Sequence, residues 1–234
     1  MHEHASARQA LEGMVLRGDL EGLLKSAEAL HGHLCPMLAL GVKAAQFALT
    51  ELAGEGHGLP EVAAVVEGLS CFVDGVQLVT GCTLGNGGLV VKDLGKTAVT
   101  VARRADGAAL RLAVLPDFRE GLFARYPAAG PLFETVMVKK AGTEEDRHRF
   151  QHLWEAVARR ELTVPLEEQF KVQRLTVTPP PGGRSLEVAT CGGCGEGVAA
   201  SRTKIRDGRT LCPACAGEGY FLLNSRGISR AQGP

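Results

Sequence analysis

Three metal-binding side chains stand at alternate positions in His31-Gly32-His33-Leu34-Cys35-Pro36, directly ahead of a helix-forming run. Imidazole nitrogen and thiolate sulfur suit zinc, iron, nickel or copper, and the spacing does not choose among these ions. Pro36 fits the first helical position, where its missing N–H would be unpaired anyway, and this makes Cys35 the N-cap. A thiol placed there feels the positive end of the helix dipole, which favours the thiolate that binds metals and attacks electrophiles. An extended run turns His31, His33 and Cys35 to one side; a helix running through them leaves only His31 and Cys35 on a common face.

Four of the seven cysteines form a second pattern, Cys191-Gly-Gly-Cys194 and Cys212-Pro-Ala-Cys215, with 17 residues between the pairs. That is the spacing of a zinc ribbon. Residues 202–206 and 209–211 flank Asp207-Gly208, a hairpin signal. So short a segment cannot bury an adequate core, so a Zn²⁺ held by four thiolates supplies the folding energy. With all four positions taken by cysteine, such a site is structural.

Cys35, Cys71 and Cys82 remain, together with His31, His33 and His57. A lone buried cysteine is ordinarily a small hydrophobe. Three of them beside a His-x-His-x-Cys run point instead to a core metal or redox site formed by His31, His33, Cys35, Cys71 and Cys82. Asp74 either orients a ligating imidazole or caps the helix after Cys71, the cap being preferred. His57, between two glycines, reads as a loop histidine, and His148 with His152 is a less complete second pair. Residues 81–88 are glycine-dense like an anion cradle but lack the Gly-Lys-Ser/Thr of a P-loop; Lys92 and Lys96 follow nearby.

The elements that must position these groups follow from periodicity. Residues 5–30 have helical spacing broken at Gly18-Asp19, with Asp19 as a cap, and the alanine-rich helix after Pro36 is buried. Residues 62–66 read as a strand and 74–79 as a short helix. Residues 89–92, 97–103 and 109–115 alternate as strands of an antiparallel sheet, the last two joined at Asp106-Gly107. Helices follow over 116–126, 131–140 and 144–160, the last opened by Thr143 with Asp146 three residues on, and 171–178 supplies a final strand. The fold class expected is α+β, an antiparallel sheet with packed helices, plus a small C-terminal zinc ribbon. The core domain spans 1–178, a Pro- and Gly-rich linker 179–184, and the ribbon and tail 185–234.

Net charge is zero, from 26 basic and 26 acidic residues, which argues against a generic polyanion binder and against nucleic acid as a partner. The segment after the linker carries seven basic and four acidic residues, a surplus that reads as solvated surface. No run approaches the roughly 18 apolar residues of a membrane span. Residues 1–10 resemble no secretory signal, and paired C-x-x-C spacing within an odd cysteine count fits a reducing, cytoplasmic setting.

Taken together, His31-Gly-His-Leu-Cys-Pro36, Leu38-Ala-Leu-Gly41, Val73-Asp-Gly-Val-Gln77, Thr80-Gly-Cys-Thr-Leu-Gly85 and Lys92-Asp-Leu-Gly-Lys96 resemble the FmdE family of formylmethanofuran dehydrogenase proteins over about residues 25–120. Met37 stands where that family usually has glycine. The resemblance implies an α+β core whose cleft holds a transition metal (zinc, iron or nickel), a C-terminal ribbon, a homodimer, and an accessory role beside a molybdenum or tungsten enzyme. The function expected is a metal-binding protein with a metal-handling or redox-accessory role. One alternative is a thiol- or metal-dependent enzyme acting on a small substrate, with Cys35 or Cys82 as nucleophile or open-site metal ligand and His33 as base. The other is a ribbon module that contacts protein or nucleic acid.

Overall fold

A computed structural model describes residues 6–54, 58–182 and 186–232. His57 lies outside the described residues. The chain divides into two units, 1–180 and 181–234.

Unit 1 opens with α1 (Ala7–Arg17) and α2 (Leu20–His31). They are separate helices because Gly18 turns left-handed, at φ 67°, and the Asp19 carboxylate then accepts from the Gly22 amide as the cap of α2. α3 (Pro36–Ala53) is apolar nearly all round and almost wholly buried, as a central helix must be. β1 (Val62–Val66), α4 (Cys71–Thr80) and β2 (Leu89–Val91) come next, then the hairpin β3 (Ala98–Arg103) and β4 (Ala108–Val114). α5 (Phe118–Arg125), α6 (Ala129–Phe133), α7 (Glu144–Glu161) and β5 (Phe170–Thr176) complete the unit. The helix expected over 131–140 is instead α6 running into a π-helical turn, Glu134–Val138.

The strands form one sheet in the order β2-β1-β3-β4-β5. The class is α+β, and the pairings β1–β3, β3–β4 and β4–β5 are antiparallel as expected. β2 lies parallel to β1 because α4 carries the chain back before it re-enters the sheet. Register places Val66 opposite Val99 and Val101 opposite Leu110, so these residues share the buried face. α3 packs against β3 and β4, and α4 against β1.

Two contacts fix α3. On one side α4 crosses it backbone to backbone: a Cβ on Gly75 would stand 2.6 Å from the Leu38 carbonyl oxygen, and one on Gly41 would overlap the Phe72 carbonyl. On the other side Lys43, buried in mid-helix, donates to Gln169 Oε1 at 2.7 Å and to the Val164 and Glu161 carbonyls. Glu161, fully buried on α7, accepts from Arg125 at 2.9 Å and from Gln169 Nε2 at 2.7 Å. Burial pulls the Lys43 ammonium down to about 8, opposed by Glu161. Each polar group in this cluster has a partner, so it ties α7 to the central helix at no unsatisfied cost.

The described residues of unit 2 form three two-stranded hairpins and a short 3-10 turn, Ala200–Arg202. The hairpins are β6 (Val188–Thr190) with β7 (Gly197–Ala199), β8 (Lys204–Arg206) with β9 (Arg209–Leu211), and β10 (Tyr220–Asn224) with β11 (Gly227–Ala231). Asp207 and Gly208 turn the second with φ of 49° and 72°, the left-handed pair expected of Asp-Gly. The third occupies what the sequence gives no reason to separate from a tail.

Candidate metal centres

The loop between α2 and α3 carries the first donors. His31 ends α2, and Gly32 stops it with a left-handed φ of 91°. Cys35 is the extended N-cap of α3 with Pro36 at the first helical position, and its Sγ accepts from the Leu38 amide at 3.4 Å. Neither simple geometry applies, since the motif lies at a helix-to-helix junction. Cys71 is the first residue of α4. The α3–α4 crossing therefore brings two helix N-termini, each bearing a thiol, to the end of α2 that bears the imidazoles. One ligand atom each from His31, His33, Cys35 and Cys71 lies within 4.8 Å of the others.

The immediate surroundings orient these donors. His31 Nδ1 lies 2.7 Å from Asp74 Oδ2, and the other oxygen of Asp74 accepts from Gln77 Nε2 at 3.2 Å. His31 Nε2 is buried without a hydrogen-bond partner among the described residues. A carboxylate on one ring nitrogen fixes the tautomer in which the other presents its lone pair, the usual arrangement of a metal-binding histidine. Asp74 is thus no cap: Ser70 holds that position, and Asp74 sits a turn further on, where its side chain reaches His31. The Cys35 thiol hydrogen-bonds Cys71 and, with His31 and His33 nearby, pulls Cys71 down to about 5. The same partnership, with burial, pushes Cys35 up. One thiolate is therefore ready at neutral pH, and a divalent ion would displace the second proton.

The structure does not bring Cys82 into this group. Its Sγ donates to the Val62 carbonyl at 3.4 Å, and it is 4 % exposed. Cys71 begins α4 and Cys82 follows its end, so ten helical residues, about 15 Å of rise, stand between them. Nor are residues 81–88 an anion cradle. The Asn86 carboxamide fills the turn, accepting from the Thr83 and Gly88 amides, both at 2.9 Å, and donating to the Gly81 carbonyl. His148 and His152 lie exposed on α7, with Glu144 as the ion-pair partner of His148. Lys92 and Lys96, both exposed, flank Glu67, whose carboxyl is held below its ordinary range chiefly by a two-pronged Arg111 contact at 2.6 and 2.7 Å.

In unit 2, Cys191, Cys194, Cys212 and Cys215 each place a sulfur within 4.8 Å of the other three. Cys191 Sγ accepts from the Cys212 amide at 3.2 Å and the Gly193 amide at 3.3 Å, which lowers that thiol to about 6. Amides aimed at a sulfur stabilise thiolate, the form a metal requires.

Sequence reasoning did not pick out Gln77, Gly41 and Gly75 as parts of the site, although all three sit inside the motifs that carry the resemblance. Their work is to hold other groups, and only the α3–α4 crossing exposes it.

Fold and site define a protein with two thiolate-containing clusters, one Cys₂His₂ on an α+β unit and one Cys₄ on a ribbon-like unit. The family model described as FmdE, Molybdenum formylmethanofuran dehydrogenase operon, matches residues 30–171, and the chain belongs to that family. A curated relative from Archaeoglobus fulgidus, called a probable S-adenosyl-L-methionine-binding protein, is 39 % identical over 218 residues. The match covers 92 % of this chain but only 57 % of that relative's length. The crystal structure of a tungsten formylmethanofuran dehydrogenase FmdE-like protein from Syntrophus aciditrophicus superposes with a TM-score of 0.53 at 20 % identity. It covers 85 % of this chain and 92 % of its own, a likeness of fold. Among the described residues no helix is long and apolar enough to cross a membrane.

The Asp74 contact yields a direct expectation. Asp74→Asn keeps the shape but loses the charge that holds His31, so core-site affinity should fall roughly 10- to 100-fold. Chelator competition on wild type and variant measures this; equal affinities would mean that Asp74 takes no part in holding the ligand.

Proposed function

We propose that this protein binds two metal ions: a transition metal on His31, His33, Cys35 and Cys71, and a structural Zn²⁺ on the four ribbon cysteines. The observation that carries the core site is the buried, unpartnered Nε2 of His31, whose Nδ1 is held by Asp74 beside two thiols. Without an ion, that nitrogen is a buried polar atom left unsatisfied. Two imidazoles and two thiolates suit tetrahedral zinc, and also iron or nickel. The ion would supply Lewis-acid or redox chemistry; the chain's own residues orient the ligands and keep Cys35 and the Nε2 of His31 from water. His33 is exposed and Cys71 half-buried, so one flank of the centre opens to solvent.

The role that fits is metal handling or redox assistance in a reducing cytoplasm, by a homodimer serving a molybdenum or tungsten enzyme. Membership of a family named for the formylmethanofuran dehydrogenase operon supports that partner. The open flank supports a second reading, a metal- or thiol-dependent enzyme for a small substrate. Elemental analysis of purified protein should give two equivalents per chain, and Cys71→Ser or His31→Ala should leave one. A single equivalent, unchanged in those variants, overturns the core assignment. Anomalous scattering at the absorption edges identifies each ion. A metal-loaded centre whose Cys71 resists alkylation and turns over no small electrophile counts against the enzyme reading.

A further inference from the structure

The β10–β11 hairpin carries large side chains to solvent on both faces. Phe221 is 70 % exposed, and Tyr220, Leu222, Leu223 and Ile228 between 41 and 45 %. Register sets Phe221 directly opposite Arg230, so ring and guanidinium share one face. That face borders a recess of about 350 Å³, whose walls include Phe221, Arg230, Arg202, Lys204 and Glu218. Glu218 is occupied by Lys204 and Arg206, each at 3.5 Å. The side chains of Arg202, Arg226 and Arg230 have no hydrogen-bond or ion-pair partner among the described residues.

Neutrality of the whole chain conceals this distribution. Residues 181–234 hold seven basic and four acidic residues, a net +3, and the remainder of the chain holds the balancing −3. A purely apolar protein partner seated on Phe221 would bury neighbouring guanidiniums without compensation, which is costly. A polyanion with flat apolar faces satisfies ring and cations together.

We infer that the ribbon unit binds single-stranded nucleic acid, an unpaired base stacking on Phe221 while Arg202, Arg226 and Arg230 take backbone phosphates. A duplex keeps its base faces inside the stack and can use only the arginines.

The test uses the full chain loaded with metal and fluorescein-labelled oligo-uridine, oligo-thymidine and a mixed duplex, each of about twelve nucleotides. Anisotropy titrations at low and moderate salt should show both single strands binding more tightly than the duplex; the tighter of the two tells RNA from DNA. Phe221→Ala should weaken single-strand binding roughly 5- to 150-fold, and Phe221→Trp should retain it. Arg202→Ala should reduce the slope of log K against log salt by about 0.7. Unchanged metal content shows that each variant keeps its fold; if Phe221→Ala does not, the Arg202→Ala slope and an Arg230→Gln variant carry the test. Absence of binding at low salt, equal affinity for duplex, or insensitivity to these substitutions overturns the inference. So does loss of an oligomer in Phe221→Ala without loss of nucleic-acid affinity, which would assign the hairpin to a contact between copies of the chain.

Discussion

Cys191→Ser is expected to unfold residues 188–231 and leave unit 1 intact. In the described part of unit 2 only Cys191 and Leu211 are buried, at 1 and 9 % exposure, so there is no apolar core to survive loss of the metal we assign to it. Its first two hairpins pair strands of three residues, too short to stand alone in water. Their order therefore rests on the four sulfurs, and Cys191 is the one onto which two amides converge. Metal-linked folding of such modules is worth about 10–16 kcal/mol near neutral pH, far more than hairpins of this size contribute. In ¹H–¹⁵N spectra of the variant, amides of 188–231 should lose dispersion while those of α1 to β5 keep their shifts. One equivalent of metal should be lost and the melting of unit 1 should move little. Dispersed ribbon amides in Cys191→Ser would show that the hairpins hold themselves.

Local signals carried much of this architecture into the sequence. Asp19 as a cap, Cys35 ahead of Pro36, Thr143 with Asp146 and the Asp207-Gly208 turn are each decided within a few residues, and each stands where its chemistry places it. The ribbon sulfurs were legible for the same reason, since each C-x-x-C pair brings two sulfurs together by itself. The core centre was only half legible. His31, His33 and Cys35 are neighbours, and both Cys71 and Cys82 were expected to join them; the short helix expected over 74–79 begins earlier, at Cys71, and runs to Thr80. Cys71 and Cys82 therefore belong to opposite ends of that helix, and at the α3–α4 crossing only Cys71 places its sulfur beside the donors of the α2–α3 loop. The role of Asp74 turned on packing that the sequence does not state, because its reach to His31 follows from α4 lying against α2 as it crosses α3 and not from its place in the chain. The parallel β1–β2 pairing was hidden for a related reason: β2 alternates like any short strand, and its direction is set by the helix before it.

That crossing is where a small change should have a large effect on the proposed centre. Gly75→Ala adds one carbon at a point 2.6 Å from the Leu38 carbonyl oxygen and 2.7 Å from the Val42 amide nitrogen. Both are backbone atoms within α3, so neither can rotate aside, and the two helices must part by about 1 Å to restore ordinary contact. Cys71 lies one turn before Gly75 and Cys35 three residues before Leu38, so the separation falls almost wholly on the gap between the two thiols. Metal–sulfur bonds of about 2.3 Å do not stretch to span it. Glycine costs a helix about 1 kcal/mol relative to alanine, so on propensity alone Gly75→Ala would stabilise α4. We expect the reverse: a loss of about 1–3 kcal/mol in denaturant unfolding of unit 1, and core metal affinity lowered by more than the roughly 10- to 100-fold expected for Asp74→Asn. The ribbon equivalent should be retained. Gly85→Ala is the matched control, because the nearest atom to its added carbon is Thr83 Oγ1 at 3.7 Å. A Gly75→Ala protein that holds two equivalents as tightly as wild type would mean that the metal does not depend on the closeness of these two helices, and the proposed ligand set would lose its physical basis.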